Sequence, residues 1–166
     1  MFYESVLKTL NEKKVRYLVA GGLAVNLHGV PRMTQDLDLF ADLTRANIEL
    51  LLGALDDLGY APRPPVPLMN FADEQKRADM ITSKNMKAFP LVHKTNPGQE
   101  IDILAVAPIS FEQAYGNRSV RSTRSMDIPI MGIDDLILMK KNSGRKHDMS
   151  DAAMLEKIKR LIEDNS

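Results

Sequence analysis

VRYLVAGGLAVNLHGVPRMTQDLDLF, residues 15–40, decides how the rest of the chain is read. Val15 to Ala20 is a β-branched and aromatic run of strand length. Gly21 and Gly22 follow, a pair that lets the backbone turn sharply and approach a ligand closely. Leu23 to His28 has helical rather than alternating character, so the amides of Gly22 and Leu23 fall at or near a helix N-terminus, where backbone donors and the helix dipole favour a phosphate. A loop with Arg32 and Thr34 leads to a second strand, Asp36-Leu37-Asp38-Leu39-Phe40. Its period of two puts Asp36 and Asp38 on one face and Leu37 and Leu39 on the other. Carboxylates roughly 6–7 Å apart along one strand face are able to converge on a divalent cation.

On the N-terminal side, Phe2, Val6, Leu7 and Leu10 recur at helical spacing, so residues 3–13 read as an amphipathic helix. On the C-terminal side, Ile48, Leu51, Leu52, Leu55 and Leu58 mark a helix over 46–58, with Gly59 placed to stop it. Helix, strand, helix, strand, helix is an α/β order. The proline-rich segment 61–67 excludes a helix or an interior strand and reads as a rigid connector or a lip over a groove. Residues 71–77 read as a helical turn, 79–83 and 88–93 as strands, and Asn96-Pro97-Gly98 as a turn. Glu100 to Val106 is a strand whose alternation sets Ile101 and Ile103 opposite Asp102. Residues 118–125 and 127–131 read as short strands or extended loop, and 134–141 and 148–162 as two closing helices. The expected architecture is α/β (α+β), a mixed β-sheet flanked by helices with C-terminal helices, in a single domain over 1–166.

Composition narrows the function classes. With 22 basic and 22 acidic residues the formal charge is zero, so no global field recruits nucleic acid. Apolar residues make up 44% and charged residues 27%, as in a globular domain. The absence of cysteine excludes disulfides, thiolate metal sites and a cysteine nucleophile. No run has membrane-spanning length and no signal-peptide core precedes residue 15, so a cytoplasmic location is expected. His28, His93 and His147 lack zinc-ligand spacing.

If the two acid-bearing strands are neighbours, Asp36, Asp38 and Asp102 emerge on one sheet face, a hard-oxygen set suited to magnesium and two-metal phosphoryl chemistry. Either motif alone also describes the solvent side of a half-buried strand. Gly21-Gly22 upstream, with Arg32 and Thr34 between, tips the reading toward a site. Gly21-Gly22, thirteen residues, Asp36-Leu37-Asp38-Leu39 and later Ile101-Asp102-Ile103 resemble the signature of the DNA polymerase β-type nucleotidyltransferase superfamily. Within it, GGLAVNLHG, RMTQDLDLF and the closing LILMKKNSGRKHDMSDAAML are similar to small bacterial AbiEii-type proteins of toxin–antitoxin and abortive-infection systems. The resemblance covers roughly residues 15–155.

The resemblance implies that Gly21 and Gly22 hold a nucleoside triphosphate by their backbone and that Asp36 and Asp38 bind magnesium, with manganese as a substitute. Asp102 would complete the metal site and help to activate an acceptor hydroxyl. It further implies a tRNA 3′ end or a partner protein's side chain as acceptor, with small antibiotics a further class, and a cognate toxin or antitoxin as partner. Arg32 and Thr34 are placed either to bind phosphate or to fix their loop. Lys140 and Arg145 are placed either to meet the β- and γ-phosphates or to complement a helix C-terminus. Asp148 and Asp151 have the spacing of an N-cap and N3 residue, which favours structure for Asp148 and leaves Asp151 open. Lys76, Arg77, Lys84, Lys87 and Lys94, with Arg118, Arg121 and Arg124, form either a flank for an anionic acceptor or a solvated face. The expected activity is transfer of a nucleoside monophosphate from a triphosphate to a hydroxyl. The alternatives are a non-catalytic antitoxin-like binding module and a phosphohydrolase.

Overall fold

The alternation of Leu37 and Leu39 with Asp38, and of Ile101 and Ile103 with Asp102, becomes a pair of parallel strands in register. A computed structural model describes residues 2–166; the Phe2 side chain, counted above in the first apolar stripe, lies outside the described residues. The elements in chain order are α1 (Phe2–Glu12), β1 (Tyr17–Ala20), α2 (Gly21–Leu27), β2 (Leu37–Ala41), α3 (Arg45–Asp57), β3 (Tyr60–Pro62), a 3-10 turn (Leu68–Ala72), α4 (Glu74–Ser83), β4 (Ala88–His93), β5 (Glu100–Leu104), α5 (Phe111–Gly116), β6 (Ser119–Ser122), β7 (Asp127–Ile130), α6 (Ile133–Ser143) and α7 (Lys146–Asp164). The strands form a seven-stranded mixed sheet in the order β3-β4-β5-β2-β1-β7-β6. Two compact units are distinguished within the chain, Met1–Tyr17 with Gln35–Val106, and Leu18–Thr34 with Ala107–Ser166.

In the first unit β2 and β5 are parallel, with Leu37 opposite Ile101, Asp38 opposite Asp102 and Leu39 opposite Ile103. Strand β4 runs antiparallel to both β5 and β3. The four aliphatic residues of β2 and β5, together with Phe89 and Leu91 of β4, are fully buried. Their cover comes from α3, whose Ile48, Leu51, Leu52 and Leu55 are equally buried, and from Phe71, stacked on Phe89 at 4.7 Å between ring centroids. Burying such side chains at about 1.5–3 kcal/mol each fixes which face of the strands is inward. The carboxylates are thereby left on the other face.

The second unit pairs β1 with β7 in parallel, Val19 opposite Ile130, and β7 with β6 antiparallel. Helices α6 and α7 pack together, and their Leu136, Ala152 and Leu155 are buried. His28 caps the C-terminal end of α2 and its Nε2 donates to the Met131 carbonyl at 2.8 Å.

Four segments differ from the expectations. Residues 79–83 belong to α4 rather than to a strand, because Asp73 accepts from the Lys76 amide at 3.0 Å and caps a helix running through them. The proline-rich segment begins as a strand, β3, which tolerates Pro62 because it lies at the sheet edge. Gly21 and Gly22 are the first residues of α2 rather than a separate turn, and Gly22 and Leu23 are buried. Helix α5 lay unread in the sequence, although Ser110 accepts from the Gln113 amide at 3.2 Å, half of a capping box. Among the described residues no helix is long and apolar enough to cross a membrane.

Candidate active site

Inside the first unit, the pleat that buries Leu37, Leu39, Ile101 and Ile103 makes Asp38 and Asp102 direct cross-strand partners on one face. Neighbouring strands lie about 4.8 Å apart, which sets the spacing of the two side chains. Asp36 precedes β2 by one residue and shares the parity of Asp38. Burial pushes the Asp102 carboxyl up, the negative charges of Asp38 and Asp36 push it further, and Arg63 opposes them; the result is a pKa of about 6.

Arg63 is the residue missed in the sequence. It sits in the proline-rich segment, its amide donates to the Pro90 carbonyl at 2.9 Å, and its guanidinium pairs with Glu100. No local pattern announces it, because the β3–β4–β5 pairing brings it beside Asp102 from far along the chain.

The carboxylates fit a magnesium ion by chemistry. Among the described residues no three His, Asp or Glu side chains form a ready-made metal-ligand group. Magnesium is commonly bound by one or two carboxylates and completes its octahedron with water and substrate phosphates. A face-sharing Asp38 and Asp102, with Asp36 near enough to raise Asp102, meets that demand.

The second unit holds the remaining expected residues and gives several of them occupations of their own. Arg32 is ion-paired with Asp151, and its amide donates to Asn26 Oδ1 at 3.1 Å. Lys140 is 8% exposed and its ammonium reaches Asp148 at 2.9 Å and Asp151 at 3.1 Å. Asp148, 1% exposed, also accepts from Ser143 Oγ at 2.6 Å and Arg145 Nε at 2.8 Å. Burial alone would raise the Asp148 carboxyl, but the bonds from Ser143, Lys140 and Arg145 outweigh it and hold the pKa at about 2. Asp148 therefore organises the α6–α7 junction by side-chain pairing. The N-cap of α7 is Arg145, so neither Asp148 nor Asp151 has the capping position that their spacing offered. A Cβ added to Gly22 would meet Thr34 Oγ1 at 2.7 Å and Arg32 Cζ at 3.4 Å, so that glycine is required by the loop packed on it.

A mixed sheet carrying paired carboxylates on parallel neighbouring strands, with closing helices, is the architecture of a nucleotidyltransferase. The chain belongs to the family of nucleotidyltransferases of unknown function (DUF6036), whose model matches residues 3–162. No curated protein matches it significantly. Among solved structures, the lincosamide antibiotic adenylyltransferase LnuA, lincomycin-bound, aligns with a TM-score of 0.59 and 18% identity over 95% of this chain and 94% of its own. ANT(2")-Ia in complex with adenylyl-2"-tobramycin aligns with a TM-score of 0.56 and 11% identity over 99% and 96%. At these identities the likeness is one of fold.

Proposed function

We propose that the chain is a magnesium-dependent nucleotidyltransferase that moves a nucleoside monophosphate from a triphosphate to the hydroxyl of a small molecule. The observation that carries this reading is the cross-strand pair Asp38–Asp102, with Asp36 beside it, in a member of a nucleotidyltransferase family. Asp36, Asp38 and Asp102 would hold the metal, which when bound neutralises charge developing on the phosphate oxygens. Asp102 would also receive the proton of the attacking hydroxyl. The acceptor oxygen bonds to the α-phosphorus and pyrophosphate departs with the electron pair of the broken bond. For the second unit, the motif resemblance supports triphosphate contacts by Gly21, Gly22, Arg32, Thr34, Lys140 and Arg145. Of the three acceptor classes, the fold likeness to two enzymes of small antibiotics lends support to a small molecule.

Calorimetric titration of each nucleoside triphosphate, with and without magnesium, tests the donor assignment. The expected result is metal-dependent binding of a nucleotide that is lost in Asp36→Ala/Asp38→Ala. Absence of binding to every triphosphate would overturn it in favour of a non-catalytic module. The narrower AbiEii-type context rests on the motif resemblance; co-purification of a neighbouring gene's product tests it, and a neighbour that never associates speaks against a toxin–antitoxin pair. We also read the two units as one domain.

A further inference from the structure

We propose that the groove between the proline-rich segment after β3, strand β4 and the C-terminal end of α4 is the acceptor subsite, and that it takes a small hydroxylated compound with an apolar body and an anionic group. The proposal rests on the nucleotidyltransferase reading and names the class of its second substrate. The groove is a cavity of about 370 Å³ within the first unit, walled by Pro64, Val66, Met80, Met86 and Pro90. That volume lies at the lower end of the range for small-molecule sites.

Local backbone chemistry builds these walls. Helix α4 ends at Ser83, and Asn85 takes a left-handed conformation, φ 49°, one of the few non-glycine residues that does so at low cost. The chain then reverses, the Met86 amide donates to the Met80 carbonyl at 3.3 Å, and both methionines face the cavity. Opposite them the prolines hold a rigid wall, fixed to β4 by the Arg63 amide on the Pro90 carbonyl.

Two independent observations tie the groove to the carboxylates. Pro90, a wall residue, is the cross-strand partner of Asp102, which is the partner of Asp38. With neighbouring strands about 4.8 Å apart, the wall lies one strand from Asp102 and two from Asp38. Arg63 also lines the groove and is close enough to act electrostatically on Asp102. A ligand seated there lies beside the strand that carries Asp102.

The charge at the groove sets the ligand class. No described lining residue is acidic, and the charged ones are Arg63 and Lys84. Arg63 is held by Glu100, whereas Lys84 is exposed and makes no ion pair among the described residues. A polycation such as tobramycin finds no counter-charge on these walls. A compound with an apolar body lies on the methionines and prolines and puts a carboxylate or phosphate against Lys84.

Hydroxynaphthoate, which is fluorescent and carries a hydroxyl, an apolar ring system and a carboxylate, is the probe, with its neutral methyl ester and tobramycin as comparisons. Titrations are run on the full chain without nucleotide. The acid is expected to bind about tenfold more tightly than the ester, with Lys84→Glu removing that advantage and leaving the ester nearly unchanged. Met86→Asp is expected to weaken both, and Lys8→Glu, exposed and outside the groove, to change neither. With a labelled triphosphate and magnesium, the acid is expected to become labelled. Equal binding of the acid to native chain and Lys84→Glu, or a preference for tobramycin, overturns the proposal. Nucleotide binding, titrated separately, keeps the two readings apart. If it is intact while the acid is not discriminated, the ligand class is wrong. If it is absent while the groove still discriminates, the donor assignment is wrong.

Discussion

Replacing Asp102 by asparagine isolates the electrostatic cost of the candidate metal site, because the amide keeps the shape of the carboxyl and cannot ionise. In the native chain burial and the charges of Asp38 and Asp36 raise this carboxyl from 3.8 to about 6. Folding therefore favours its protonated form. That advantage is complete below pH 3.8 and is lost as pH rises through about 6. At about 1.36 kcal/mol per pH unit the full cost would be about 3 kcal/mol. Asp102 is only half-buried, so water screens the interaction, and about 1 kcal/mol is the working figure. In metal-free buffer Asp102→Asn is expected to match the native chain near pH 4 and to exceed it by about 1 kcal/mol near neutrality, a rise in Tm of about 2–4 °C. Urea unfolding across this range reads the difference. Magnesium is expected to stabilise the native chain, by about 2.7 kcal/mol at a hundredfold excess over its Kd, and the variant less. A variant no more stable than the native chain at neutral pH, with a difference independent of pH, would refute the reasoning.

Gly22→Ala drives a methyl group into Thr34 and is expected to cost about 1–3 kcal/mol in urea unfolding, with partial recovery in Gly22→Ala/Thr34→Ala; no recovery would mean that the cost lies elsewhere. Asp148→Asn leaves Lys140 and Arg145 without their shared anion and is expected to cost about 3–5 kcal/mol at neutral pH. Since the Asp148 carboxyl is held at about 2, its contribution is present above pH 3.8 and fades as pH falls toward about 2, so the gap between variant and native chain should close over that window. If the chain is one domain, thermal unfolding should be a single transition with equal calorimetric and van't Hoff enthalpies, whereas two transitions would separate the units.

Strand faces were legible because a period of two is local. Leu37, Leu39, Ile101 and Ile103 have no second way to be buried together, and once they are inside, Asp38 and Asp102 share the other face. The short segment 79–83 was not legible from its own residues, because the cap at Asp73, six residues upstream, set its conformation. Cations were the least legible, since their partners are chosen by tertiary structure. Arg32 meets Asp151, which lies 119 residues away.

That same pairing ranks the candidates for phosphate contact. An ammonium has three donors, and at Lys140, 8% exposed, two carboxylates are already within bonding distance. A phosphate at Lys140 must take the remaining direction or displace a carboxylate, leaving Asp148 or Asp151 with one partner fewer. Arg145 spends only its Nε on Asp148 and keeps a side chain that is 69% exposed, so its two terminal nitrogens can serve an anion without dismantling the junction. Of Lys140 and Arg145, Arg145 is the one chemically equipped to change partners, while Lys140 holds the helices that present it.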